Sequence, residues 1–209
     1  MKKLLPQINL GLLSSSLYVA FQIFANVLSI KIVALPVLGW AVDGGTIIYP
    51  LTFTLRDFVH KTWGKTNARQ VVIIAGLLNG VMAILFYLIG KMTPDPSWQQ
   101  QAAYEQILMP VSRIVIASII AQIISELIDT EIFSLIYKKI NDTSAVFLSN
   151  LISLLFDSVI FSFIAFLGVL PLTTVLQIVL SNILIKFIIS SISVPTIKLI
   201  PRQAPFEEM

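Results

Sequence analysis

Three long stretches of the chain carry no charge at all: Leu4 to Ile30, Gln70 to Gly90 and Ser158 to Ile185. A helix needs about 20 apolar residues to cross a hydrocarbon core ~30 Å thick, and each stretch reaches that length. The apolar positions run continuously instead of alternating with polar ones, which excludes a transmembrane β-barrel. Apolar runs between turn signals predict six helices, at residues 8–35, 46–61, 69–90, 109–137, 144–168 and 173–197. Their connections hold Pro36 and Gly39, Asp43-Gly44-Gly45, Gly64, Pro94-Asp95-Pro96, Asn141-Asp142, and Gly168 with Pro171. Pro50 predicts a kink or break in the second helix, and the fourth is long enough to tilt or to extend past the bilayer. The expected fold is all-α: a single polytopic membrane domain over residues 1–209, with six transmembrane helices and no room for a domain outside the lipid.

Composition points the same way. Of 209 residues, 56% are apolar and 12% charged, whereas a soluble domain carries about a quarter charged. Mean hydropathy is +0.90. A soluble globular protein, a secreted disulfide scaffold and a nucleic-acid-binding domain are excluded together. Cysteine is absent and His60 stands alone, so no metal centre or other cofactor is expected.

The net charge of +3 follows from topology. With the N-terminus inside, the cytoplasmic segments carry Lys2, Lys3, Lys61, Lys65, Arg69, Lys138, Lys139, Lys198 and Arg202, and the external ones only Lys91. This positive-inside bias puts both termini in the cytoplasm and needs no nucleic-acid partner. Trp40, Trp98 and Tyr104 then fall on the outer side, and Trp63 and Tyr137 on the inner, as an aromatic belt at the lipid surface requires. The apolar run after Lys2-Lys3 is too long for a signal peptide and lacks a clear cleavage site, so it reads as a retained span.

Against this background, several polar groups are out of place. An ionisable side chain at a helix centre costs ~2.5–3.5 kcal/mol to insert. Asp57 lies in the second expected span, Glu126 and Asp129 in the fourth, Asp157 in the fifth and Lys186 in the sixth. Lys186 and a carboxylate sharing one polar pocket would lower the cost of both. The competing reading is an ion pair that only fixes helix register. Ser125-x-x-x-Asp129-x-x-Ile132-Phe133-Ser134-x-Ile136 recurs as Ser153-x-x-x-Asp157-x-x-Ile160-Phe161-Ser162-x-Ile164. In both helices serine and aspartate share a face. Gln22 and Asn26, and then Gln122, Glu126 and Asp129, form further polar stripes, with Phe53 and Phe161 among the aromatic residues nearby. Carboxylates and amides suit the edge of a planar polar molecule, and aromatic rings its faces.

At an offset of one hundred residues, Gln22-Ile23 matches Gln122-Ile123, and Leu51, Leu55, Asp57 and Val59 match Leu151, Leu155, Asp157 and Val159. That is compatible with an inverted 3+3 repeat, a common transporter architecture, with chance similarity between apolar helices as the competitor. No Walker A loop is present, so the chain is not an ATPase, and no G-x-S-x-G supports a serine enzyme. From its residues alone the chain reads as a non-enzymatic carrier of a polar solute.

Pro50-Leu51-Thr52-Phe53, then Asp57, then Gly64 and Ala68-Arg69 resemble the signature of the vitamin uptake transporter (VUT) family of queuosine precursor transporters. Ser125-x-x-x-Asp129 with Ile132-Phe133, Asp157-Ser158-x-Ile160-Phe161 with Ala165-Phe166, Asn26 and Lys186 fit the same pattern. The resemblance runs from about Asn26 to Lys186. It departs where the family has Gln after Ser in S-Q-x-x-D, since Glu126 and Leu154 stand there. It implies a multi-pass protein of the bacterial inner membrane that imports 7-deazaguanine bases (preQ0, preQ1 or queuine) for tRNA modification. A homodimer is compatible with it.

Substrate-binding residues are then expected among Asn26, Asp57, Gln122, Glu126, Asp129, Asp157 and Lys186, with Gln22, Arg69, Arg113, Phe53 and Phe161 behind them. A carboxylate can accept the paired N1–H and 2-amino donors of a guanine edge. The alternative reading is a substrate-capturing subunit, like the S-components of energy-coupling-factor transporters, that depends on a separate ATP-driven module.

Glu126 adds a carboxylate where the family has an amide, so amine-bearing, cationic precursors are expected to be preferred over the neutral nitrile preQ0. In competition uptake, Glu126→Gln should narrow the preference. Equal competition by preQ0 and the amine forms in both proteins would contradict it.

Overall fold

The computed structural model describes residues 9–137 and 142–193, with the side chains at 126, 129–150, 190 and 193 outside that description. Residues 8 and 194–197 of the expected spans therefore lie outside the described residues. So do the expected turn residue Asn141 and the basic residues Lys2, Lys3, Lys138, Lys139, Lys198 and Arg202.

The first helix, α1 (Leu10–Leu28), starts where the Asn9 side chain accepts from the Leu12 N–H. It stops seven residues short of the expected end at Leu35. Beyond Ser29 the chain turns into two short antiparallel strands, β1 (Ile32–Ala34) and β2 (Ala41–Asp43), with Ile32 paired to Asp43. The reason is local: Ile32 and Val33 are β-branched, and Pro36 disfavours helical geometry at Leu35. Gly39, at φ +64°, makes the turn that a residue with a Cβ would adopt only under strain.

A 3-10 turn (Gly44–Ile47) follows, capped by the Asp43 side chain, and leads into α2 (Tyr49–Trp63). The break expected at Pro50 does not occur. Pro50 sits in the first turn of α2, where no intrahelical N–H bond is lost. Gly64, at φ +91°, then joins α2 directly to α3 (Lys65–Gly90), so the third helix begins four residues before the expected 69.

The connection after α3 holds an unforeseen short helix, α4 (Gln101–Leu108), whose Gln101 amide donates to the Gly90 carbonyl at the end of α3. The chain continues through α5 (Val111–Tyr137), α6 (Asp142–Phe166) and α7 (Leu172–Ser193). Among the described residues, four stretches are long and apolar enough to cross a membrane: Leu10–Leu28, Lys65–Gly90, Gln101–Ser125 and Leu172–Ile189. The protein is thus a mainly α-helical, multi-pass membrane protein.

Packing is that of helices in lipid. Interiors are built from small and branched residues: Ala117 on α5, Ala165 on α6, and Val175 and Ile178 on α7 form one cluster, and Ala83 on α3 meets Val111 and Val115 on α5 in another. Large aliphatic side chains such as Ile73, Leu77 and Leu88 point outwards instead. Small residues let backbones approach where no water drives helices together. The closest approach is between the end of α1 and the 3-10 turn. A Cβ on Gly44 would stand 2.7 Å from the Leu28 carbonyl oxygen, and one on Gly45 would collide with the Ala25 carbonyl and Ser29 Oγ.

Gly76 and Gly80 on α3 have open space around them. Replacing Gly44 or Gly45 by alanine should therefore cost about 1–3 kcal/mol of stability through overpacking. Alanine at 76 or 80 should gain up to ~1 kcal/mol in helix propensity. Thermal denaturation in detergent distinguishes the two pairs.

Candidate functional site

Seven elements converge on one small cavity, and each delivers a polar group to it. Its lining comprises Ala25, Asn26 and Ser29 at the end of α1, Asp43 on β2, Gly45 and Thr46 in the 3-10 turn, Tyr49 on α2, Ser118 on α5, Asp157 and Phe161 on α6, and Asn182 and Lys186 on α7. The cavity holds about 20 Å³. That is room for about one water.

On one wall, Lys186 Nζ donates to Asp157 Oδ2 at 2.5 Å and lies 3.3 Å from Ser158 Oγ. Both charged side chains are buried, Lys186 at 3% exposure and Asp157 at 6%. The ammonium also lies 5.1 Å from the centre of the Tyr49 ring, a cation–π contact between α7 and α2.

The opposite wall is built around Asp43, 1% exposed. Its Oδ1 accepts from Ser29 Oγ at 2.6 Å and from the Thr46 N–H at 3.2 Å, and its Oδ2 accepts from Thr46 Oγ1 at 2.7 Å. Thr46 Oγ1 is also 2.6 Å from the Asn182 side-chain oxygen. Above these, Asn26 donates to Asn79 on α3 at 2.7 Å, and Asn79 donates back to the Ala75 carbonyl, which fixes both amides.

Of the residues expected at a site, Asn26, Asp157, Lys186 and Phe161 come together in this lining. Gln22 is buried one turn before Asn26 but donates to Tyr18 Oη at 3.2 Å. Gln122 is half-buried on α5, one turn beyond Ser118, and lines no part of the cavity. Asp57 is a further departure: it is 40% exposed on α2, beside Arg56 at 3.6 Å, and Phe53 packs on Tyr49 and under Arg56. Arg69 is exposed at the start of α3. Arg113 acts elsewhere, donating from Nε to the Ile164 carbonyl at 2.7 Å and from Nη2 to the Leu167 carbonyl at 2.5 Å. A guanidinium there satisfies the open carbonyls and complements the negative end of α6. The side chains of Glu126 and Asp129 lie outside the described residues.

Sequence reasoning missed Asp43, Thr46, Asn182, Ser29, Ser118 and Tyr49. Asp43 read as part of an external turn, whereas the hairpin folds it inwards. Asn182, fully buried one helical turn before Lys186, was detectable as an amide on the face of a buried charge.

An apolar bundle of helices around a charged and hydrogen-bonding cavity is the architecture of a polytopic membrane transporter. The chain belongs to the family described as "Putative vitamin uptake transporter", whose pattern it matches over residues 43–200. A Bacillus subtilis (strain 168) protein named "Probable queuosine precursor transporter" is 29% identical over 190 residues, covering 88% of this chain and 81% of that one. The "Queuosine precursor transporter" of Escherichia coli (strain K12) is 28% identical over 152 residues, 70% of this chain and 66% of that one. No solved structure matches the chain.

Removing one partner of a buried ion pair strands the other charge and typically costs about 3–5 kcal/mol. Asp157→Ala and Lys186→Ala should each destabilise the protein on that scale. The double variant Asp157→Leu/Lys186→Met should be more stable than either single one when unfolding is followed in detergent. Additive losses would contradict a direct pairing.

Proposed function

We propose that this protein imports queuosine precursors, bases of the 7-deazaguanine type, through the cavity between α1, α2, α5, α6 and α7. The observation that carries the reading is the buried Lys186–Asp157 pair facing Tyr49, Phe161 and Asn26. The names of the two relatives support the substrate class.

The chemistry of recognition follows from the groups present. Asp157 accepts the paired N1–H and 2-amino donors of the base in a two-point, charge-assisted contact. Lys186, released from Asp157, donates to the base carbonyl. Tyr49 or Phe161 covers a ring face, and Asn26 is held in place by Asn79 for a further polar contact. The resting ion pair thus keeps each charge partnered until the substrate arrives. A bicyclic base exceeds the space available, about 20 Å³, so the helices separate to admit it. Gln122, Glu126 and Asp129 follow Ser118 along α5 at helical spacing, and in this reading they extend the polar path. Asp57 and Arg69, near the α2–α3 junction, lie towards its cytoplasmic end.

The same reading takes α1, α2, α3, α5, α6 and α7 as six spans of one domain in the bacterial inner membrane, with both termini in the cytoplasm. The 3-10 turn lengthens the short α2. An inverted 3+3 arrangement would relate α2 to α6 through Asp57 and Asp157, and a homodimer is compatible with it.

The test is uptake of a labelled 7-deazaguanine base by bacteria that cannot make it, with and without this chain. Uptake should depend on the chain. Asp157→Asn should lower it about 10–100-fold, the value of a lost charge-assisted hydrogen bond. Uptake that is independent of the chain would overturn the assignment.

A further inference from the structure

The wall of the cavity opposite the ion pair has a charge balance of its own. Among the described residues the ion pairs are Arg56–Asp57 and Lys186–Asp157, so the buried Asp43 carboxylate is in no ion pair, while Lys186, which lines the same cavity, is paired with Asp157. Asp43 is held by the Thr46 N–H and by two hydroxyls. Ser29 Oγ lies 2.6 Å from Asp43 Oδ1 and 2.9 Å from the Ala25 carbonyl oxygen. Thr46 Oγ1 lies 2.7 Å from Asp43 Oδ2 and 2.6 Å from Asn182 Oδ1. Each hydroxyl therefore stands between two acceptors with one proton to give.

That arrangement allows two states. With the hydroxyl protons turned towards Asp43, the carboxylate is hydrogen-bonded and the cavity is empty. With Ser29 donating to the Ala25 carbonyl and Thr46 to Asn182, both protons leave the carboxylate. One carboxylate and two hydroxyl lone pairs, all in the lining of the same cavity, are then free to accept a cation. Hard oxygen ligands of this kind suit a small hard cation. The Ala25 carbonyl belongs to the last turn of α1, whose dipole adds negative potential. The whole cavity, about 20 Å³ in this arrangement, has room for a single small ion. A carboxylate without an ion-pair partner in an apolar membrane protein carries a cost even when hydrogen-bonded, and a bound cation lowers it.

We propose that Asp43, Ser29 and Thr46 form a seat for one alkali cation of sodium's size, which binds beside the substrate site and couples to it. Because Asn182 and Lys186 are neighbours on one face of α7, filling the seat biases the same helix that carries the ion pair. The seat itself is independent of which base is carried, while its coupling rests on the transport reading above.

The purified full-length chain in detergent is titrated with sodium chloride at constant ionic strength, choline chloride replacing sodium, and its thermal midpoint is followed with no base present. Sodium should raise the midpoint of the wild type, and Asp43→Asn should abolish the response. Ser29→Ala keeps the charge and removes one ligand, so it should raise the half-saturating sodium concentration about tenfold, and it serves if Asp43→Asn does not fold. In liposomes, an inward sodium gradient should accelerate base uptake by the wild type.

A wild type that responds alike to sodium and choline overturns the proposal, as does an unchanged half-saturation in Ser29→Ala. Uptake driven by a proton gradient without any sodium response also overturns it. So does an Asp43→Asn effect confined to choosing between amine-bearing and neutral bases, because Asp43 would then face the substrate. A sodium response without uptake of any base would support the seat and refute the transport reading.

Discussion

A charge cannot sit alone in a medium without water, and this protein is organised around that constraint. Lys186 and Asp157 come from helices that each present an almost wholly apolar surface, and their contact fixes how α6 and α7 face one another. Unlike a surface pair, whose value is small, a buried pair makes each partner indispensable to the other. The Tyr49 ring over Lys186 extends the constraint to α2. Through the 3-10 turn that precedes Tyr49, it reaches the hairpin and the end of α1.

The same constraint explains why the backbone is irregular where it is. Between Leu28 and Tyr49 the chain abandons the α-helix for a hairpin and a 3-10 turn, leaving backbone groups that must be satisfied internally. The strand pairing, the Gly44 N–H bond to the Lys31 carbonyl and the Gln177 side chain accepting from the Ala41 N–H supply those partners. Gly44 and Gly45 then let the turn lie against α1 closely enough for Ser29 and Thr46 to reach Asp43. Of this segment Ser29, Asp43, Gly45 and Thr46 line the cavity, while the hairpin tip at Val37 and Leu38 is exposed.

Much of this was legible in the sequence, for a physical reason. Lys186 and Asp157 stand out because an apolar run gives them no other excuse, and the membrane class follows from the same runs. Asp43 did not stand out, because Asp-Gly-Gly-Thr has the chemistry of an ordinary turn and only the tertiary fold shows which way it points. Asn182 hid as a neutral amide in an apolar helix. The role of Arg113 depends on where α6 ends in space, which its own neighbours in sequence do not reveal. Pro50 misled because proline is disruptive inside a helix and harmless at its start, so a shift of a few residues in the boundary reverses the expectation.

In the proposed mechanism the carrier exchanges the partners of its buried Lys186–Asp157 pair for a substrate. The direct measurement is uptake of a labelled 7-deazaguanine base into liposomes containing only this purified chain, wild type against Asp157→Asn. Wild-type liposomes should take up the base, and Asp157→Asn liposomes with the same amount of folded protein should do so about 10–100-fold more slowly. Equal uptake by both, or tight binding by the wild type without uptake, would contradict the account.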